Sequence, residues 1–121
     1  MSQKQIYVAV LHQDGDVLLM YIPDTLEALQ EQVGGYIEIV PSFCGQPGLI
    51  DIVNEESIYR VNQHINVTVP LYFGNIVIAR ADGENIVGLS YHDLQVLLPK
   101  IGRGGLIDDE QIPGASTAPG P

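Results

Sequence analysis

The chain is short of cysteine, of positive charge and of long apolar runs, and each shortage excludes something. Cys44 is the only cysteine in 121 residues. No intramolecular disulfide can form, which fits a reducing cytoplasm. Five Lys and Arg residues face fifteen acids, for a formal net charge of −10. A surface of that sign repels duplex DNA and anionic membranes, so neither is an expected partner. No stretch reaches the roughly 18 apolar residues that a membrane span requires, and residues 1–5 lack the basic and apolar regions of a signal peptide. His12, His64 and His92 lie far apart. A structural zinc site draws on Cys or His at short, regular spacings, so no metal is expected. Ser42, Ser57 and Ser90 have no G-x-S-x-G setting. Glu38, Asp51, Glu55 and Glu56 read as a solvated surface, because paired catalytic carboxylates need a cleft that drives their pKa values apart. No catalytic residue and no cofactor is assigned, and the protein is expected not to be an enzyme.

What is present suits an ordinary small domain. Hydrophobic residues make up 45% of the chain, and a chain of this length buries enough surface to fold without a disulfide or metal. Residues 5–11 are rich in β-branched and aromatic side chains and read as a strand. Asp14-Gly15 is a hairpin signal, and 17–22 reads as the returning strand. Asp24 followed by Glu27 has capping-box spacing. Leu26, Leu29 and Val33 then mark one face of a helix over 25–33, ended by Gly34 as a left-handed cap. Strand character resumes over 35–40, with Ile37 and Ile39 expected to face the core and Tyr36, Glu38 and Val40 the other way. Further strands are read at 48–53, 76–79 and 85–88, and 65–69 as extended chain. Ser90 and Asp93 repeat the capping-box spacing before a second helix over 91–98 that Pro99 ends. The pattern predicts an α+β fold, a mostly antiparallel sheet with two short helices, in a single small domain over 1–101. Residues 102–121 form a Gly/Pro-rich acidic tail.

The candidates for recognition are few. Gly34-Gly35 follows a helix, whereas phosphate-binding turns precede one, so the pair reads as a helix stop. Arg60 and Arg80 are the only bases between Lys4 and Lys100. An isolated arginine can fork onto a phosphate, and each also has acids nearby to pair with. Tyr36 and Glu38 share a strand face free for contact. The residues expected to bind a ligand are therefore Tyr36, Glu38, Asn54 and Arg60, with Arg80 as an anion partner.

The stretch Leu29-Gln30-Glu31-Gln32-Val33-Gly34-Gly35-Tyr36-Ile37-Glu38-Ile39-Val40-Pro41 resembles small proteins of unknown function carried by phages and mobile elements, marked by a VGGYIE segment. Val53-Asn54-Glu55-Glu56 matches the strand ending in NEE that follows in that family, and residues 72–78 resemble its glycine-led strand. The chain departs from the family after Glu56, where a Gly-Lys and a Leu-Pro-Pro-Asn turn are replaced by Ser57-Ile58-Tyr59-Arg60. The resemblance implies a phage or plasmid origin, action in the cytoplasm of a bacterial host and no enzyme chemistry. It suggests an accessory protein acting against host defence. Such a protein would sequester a nucleotide-like immune signal, or alternatively bind and inhibit a host protein directly, as an acidic mimic of nucleic acid. Pockets often form between subunits, so a homo-oligomer is expected.

Overall fold

The computed structural model describes residues 4–57 and 64–102. Its first element is the predicted hairpin: β1 (Gln5–Leu11) and β2 (Val17–Pro23) pair antiparallel in a single register from Gln5 opposite Pro23 to Leu11 opposite Val17. Gly15 makes the turn possible at φ +106°. The first helix, α1 (Leu26–Val33), is capped by Thr25 and not by Asp24: the Thr25 hydroxyl accepts the Ala28 N–H at 3.1 Å. Asp24 instead donates its own N–H to the Lys4 carbonyl and extends the hairpin by one rung, which places the first free helical N–H groups one residue later. Gly34 closes α1 at φ +79°, donating its N–H to the Gln30 carbonyl, as its position predicts.

β3 (Ile37–Pro41) and β4 (Leu49–Asn54) form a second hairpin, and β5 (Ile76–Asp82) joins the two by pairing with β1 on one side and β4 on the other. β6 (Asn85–Val87) folds back on the end of β5, and α2 (Tyr91–Lys100) completes the chain. Among the described residues there is one six-stranded antiparallel sheet of order β2-β1-β5-β4-β3, with β6 beside β5. The fold is α+β, as the pattern predicts.

The alternation of β1 explains the layering. Ile6, Val8 and Val10 point to one face and pack with Leu29 and Val33 of α1; Tyr7, Ala9 and Leu11 point to the other and pack with Leu94, Leu97 and Leu98 of α2. The central strands are therefore buried on both faces and read as continuous apolar runs. Segment 65–69 is not a strand; it makes a single bridge, Ile65 to Phe73. Asn66, fully buried, holds this segment down by donating to the carbonyls of Leu11 and Gly74 and accepting the N–H groups of Thr68 and Val69.

Two further outcomes have local reasons. β3 is an edge strand, so Ile37 is only half-buried and Ile39 is 47% exposed. Both still face the α1 side; what they lack is a neighbouring strand to cover them. Pro99 does not end α2, which runs on to Lys100. Its missing N–H falls in the last turn, where closure has already tightened to Ile101 N–H on the Leu98 carbonyl and Gly102 N–H on that of Pro99.

Candidate functional site

Of the residues that the sequence groups for ligand contact, Tyr36, Glu38 and Asn54 lie together where β3 meets the end of β4, and Arg80 lies apart, opposite Leu49 at the start of β4. Asn54 is buried at the end of β4: its amide donates to the Val33 carbonyl at 3.2 Å and accepts the Glu56 N–H at 2.8 Å. It ties the α1 terminus to the turn after β4. Gly35 passes so close that a Cβ there would lie 2.7 Å from the Asn54 amide nitrogen. Tyr36 is 70% exposed and Glu38 is exposed on the same side of β3. Arg60 lies outside the described residues.

Arg80 sits on β5, where its guanidinium forks onto Asp93 in α2. Nε reaches Oδ2 at 2.9 Å and the second nitrogen reaches Oδ1. Asp93 is fully buried and also closes the predicted capping box, accepting the Ser90 N–H while donating its own N–H to the Ser90 hydroxyl. Burial alone would raise the Asp93 carboxyl; Arg80 and the two Ser90 groups overcome it and hold the carboxyl below its usual range. Gly48 leaves room for the fork, since a Cβ there would meet an Arg80 nitrogen at 2.2 Å. Arg80 thus makes the alternative contact open to an isolated arginine, an acid of its own chain, and pins α2 to the sheet.

A correction concerns Asp51, read from the sequence as part of a solvated acidic surface. It lies in the middle of β4 with no exposure at all. Its Oδ2 accepts the Phe43 N–H at 3.0 Å, and its Oδ1 is buried without a hydrogen-bond partner. Burial pushes this carboxyl up to about 6, against the opposing pull of the Phe43 N–H and the Ser42 side chain. Tyr72 lies near enough that burial first, then the charges of Asp51 and Glu38, raise its phenol. The signal was present in Leu49-Ile50-Asp51-Ile52-Val53: an acid enclosed by apolar residues of a strand buried on both faces.

An open cleft of about 420 Å³ lies along the first half of β1. Its origin is topological. β1 pairs with β5 only from Ala9 to Leu11; beyond that β6 takes the same edge of β5 at Arg80–Asp82, because β4 already occupies the other. The chain then leaves β6 through Gly88 and crosses to α2. Gly88 lies directly on β1, where a Cβ would be 2.8 Å from the Tyr7 nitrogen, and Leu89 donates its N–H to the Tyr7 carbonyl. Tyr7, Tyr21, Val87, Leu89, Ser90 and Lys4 are among the residues lining the opening. Tyr7 is buried, and the ring of Tyr21, 51% exposed, stands edge-on to it with centroids 4.9 Å apart. Burial and the neighbouring Tyr21 raise the Tyr7 phenol. Lys4, 3.5 Å from Asp24, stands at the rim. This site offers stacking surface, hydroxyls and one cation. By sequence Tyr7 and Tyr21 are candidate stacking surfaces on half-buried strands; that they meet at a cleft depends on where β1 and β5 part.

Among the described residues no three His, Cys, Asp or Glu side chains come together as a metal-binding group, and no helix is long and apolar enough to cross a membrane. Sheet and helices together define a small α+β protein. The chain belongs to a family described as a domain of unknown function, DUF3846, whose pattern matches residues 4–100. No curated protein and no solved structure matches it.

Proposed function

We propose that the protein is a non-enzymatic binder of a planar, nucleotide-like small molecule, held in the Tyr7–Tyr21 cleft. The observation that carries this is the open cleft of about 420 Å³, where an exposed tyrosine ring is set against a buried one. Base–aromatic stacking contributes roughly 1–3 kcal/mol per base, and Lys4 and Ser90 can orient polar groups. The resemblance of residues 29–41 to small phage and mobile-element proteins supports the wider role: sequestering a signal of bacterial immunity in the host cytoplasm. The net charge of −10 and the engagement of Arg80 by Asp93 favour ligands recognised mainly through base and sugar. Calorimetric titration with nucleosides, cyclic dinucleotides and ADP-ribose derivatives tests the reading. At least one should bind, and Tyr21→Ala should weaken it about tenfold, in keeping with the loss of one stacking contact. Absence of heat with every member of the panel would sink the proposal.

A second reading is favoured by β3. Its register with β4, bracketed by Glu55 N–H on the Tyr36 carbonyl and Ser42 N–H on the Leu49 carbonyl, turns the N–H groups of Ile37 and Ile39 outward. Exposed Tyr36, Ile39 and Glu38, with Glu55 and Glu56 beside them, suit an extended basic segment of a host protein added as a further strand. Binding of this kind should weaken as salt rises and should be lost on Glu38→Lys. Capture indifferent to both changes rejects it.

A further inference from the structure

The other edge of the sheet is chemically unlike β3. β2 reads Val17-Leu18-Leu19-Met20-Tyr21-Ile22-Pro23, with no charge anywhere along it. Leu18 is 45% and Tyr21 51% exposed. Its rungs to β1 are fixed at both ends, by His12 N–H on the Asp16 carbonyl and Asp24 N–H on the Lys4 carbonyl. Antiparallel hydrogen-bonded pairs alternate along a ladder. Residues 18, 20 and 22 therefore bond inward to β1, and the N–H groups of Val17, Leu19 and Tyr21 point away from the sheet. Among the described residues no strand pairs with them. Edge strands are ordinarily protected by charge, proline or brevity. β3 has Glu38 at its second position and Pro41 at its end; β2 has only its terminal Pro23.

We infer that β2 is a self-association edge whose occupant is β2 of a second copy of this chain, paired antiparallel about a two-fold axis at Met20. That register sets Leu19 against Tyr21 of the second copy and Val17 against its Pro23. Each copy donates from Val17, Leu19 and Tyr21, and the residue that lacks an N–H falls at the end of the ladder. Leu18 meets Ile22 of the second copy, and Met20 meets its counterpart, so the exposed apolar side chains on both faces gain cover. A basic partner would find nothing to read on this strand, whereas a second copy brings no charge against it between Val17 and Pro23. Growth stops at two, because the remaining edge of each sheet is β3 with its glutamate and proline. Asp16 and Asp24 of opposing copies meet at the ends, and each copy carries −10, so the dimer should tighten as salt rises. That is the opposite of the sign expected for a basic partner on β3. The Tyr21 ring belongs both to this edge and to the cleft rim, so pairing would wall one side of the cleft, although the inference stands without a ligand.

The test is sedimentation equilibrium of the full chain together with hydrogen exchange of the Val17, Leu19 and Tyr21 amides. A dimer with slow exchange at these amides is expected. Leu18→Lys places a charge in the apolar seam and should weaken the dimer about tenfold or more. Leu19→Pro removes an outward donor without touching a rung to β1 and should do the same. Both variants should speed exchange at the remaining outward amides while circular dichroism stays unchanged. A chain that is monomeric at all concentrations overturns the inference, as does a dimer indifferent to Leu18→Lys. Slow exchange at these amides in a monomer also overturns it, since another part of the same chain would then cover the edge.

Discussion

Arg80→Met is expected to destabilise the fold by about 3–5 kcal/mol, the range for removing one partner of a buried ion pair. The loss comes less from the attraction forfeited than from what remains. Asp93 is fully buried, and without Arg80 its charge would be held only by the Ser90 groups that cap α2. The Arg80 side chain keeps 31% exposure, so water can reach the pair and the lower part of the range is the better expectation. Asp93→Asn removes the charge and should relieve part of the effect. In a double-mutant cycle followed by urea denaturation, Arg80→Met with Asp93→Asn should therefore cost clearly less than the two single changes added together. A single-variant loss below about 1 kcal/mol would put the pair among ordinary surface bridges and leave the docking of α2 to its leucines.

The second large effect is on pH. The Asp51 carboxyl stands at about 6 in the folded chain against 3.8 for the free group. A raised pKa means that the folded state binds the proton more readily. The contribution of Asp51 is fully present below about 4 and is lost as pH rises through about 6, amounting to about 3 kcal/mol. Asp93 runs the other way: its lowered carboxyl contributes stability that is lost as pH falls below the ordinary carboxylate range. Between them these two groups place the stability maximum near pH 4, below the usual optimum. Asp51→Asn should flatten the decline between pH 4 and 7 measured by thermal melts. At neutral pH the gain from losing the charge is offset in part, because an amide placed where Oδ1 now lies buried without a partner costs about 1–3 kcal/mol. The diagnostic is the slope, and a variant that declines with pH as steeply as the parent refutes the assignment.

Local signals in the chain were legible wherever one residue and its near neighbours set the geometry. Asp14-Gly15 specified a hairpin turn, Gly34 a left-handed helix cap, and Ser90 with Asp93 a capping box whose two bonds both form. Thr25 shows the limit of that method. Asp24 has the better-known spacing, but its N–H is drawn into the hairpin ladder by Lys4, and the cap moves one residue on. Asn54 and Arg80 show a larger limit. Their residue types suggest contact with a ligand, yet both are engaged by groups distant in sequence: Val33 lies 21 residues from Asn54, and Asp93 lies 13 from Arg80. Such a choice between partners depends on which elements become neighbours.

By itself, then, the sequence determined the class of fold, the Asp14-Gly15 turn, the Gly34 and Ser90 caps and the net negative charge, since these follow from short-range sterics, hydrogen bonding and composition. Only the tertiary structure decided strand order, and strand order decided most of what the proposed functions rest on. It made β3 and β2 the edges, which exposed Ile39 and left the outer side of the charge-free strand without a partner among the described residues. It buried Asp51 by giving β4 a neighbour on each side and a layer on each face. It opened the cleft beside Tyr7 and Tyr21, where β6 displaces β1 from the edge of β5. Period-two alternation states that a strand has two faces; which neighbours cover them is settled by pairing between segments far apart in the chain, which no local pattern encodes.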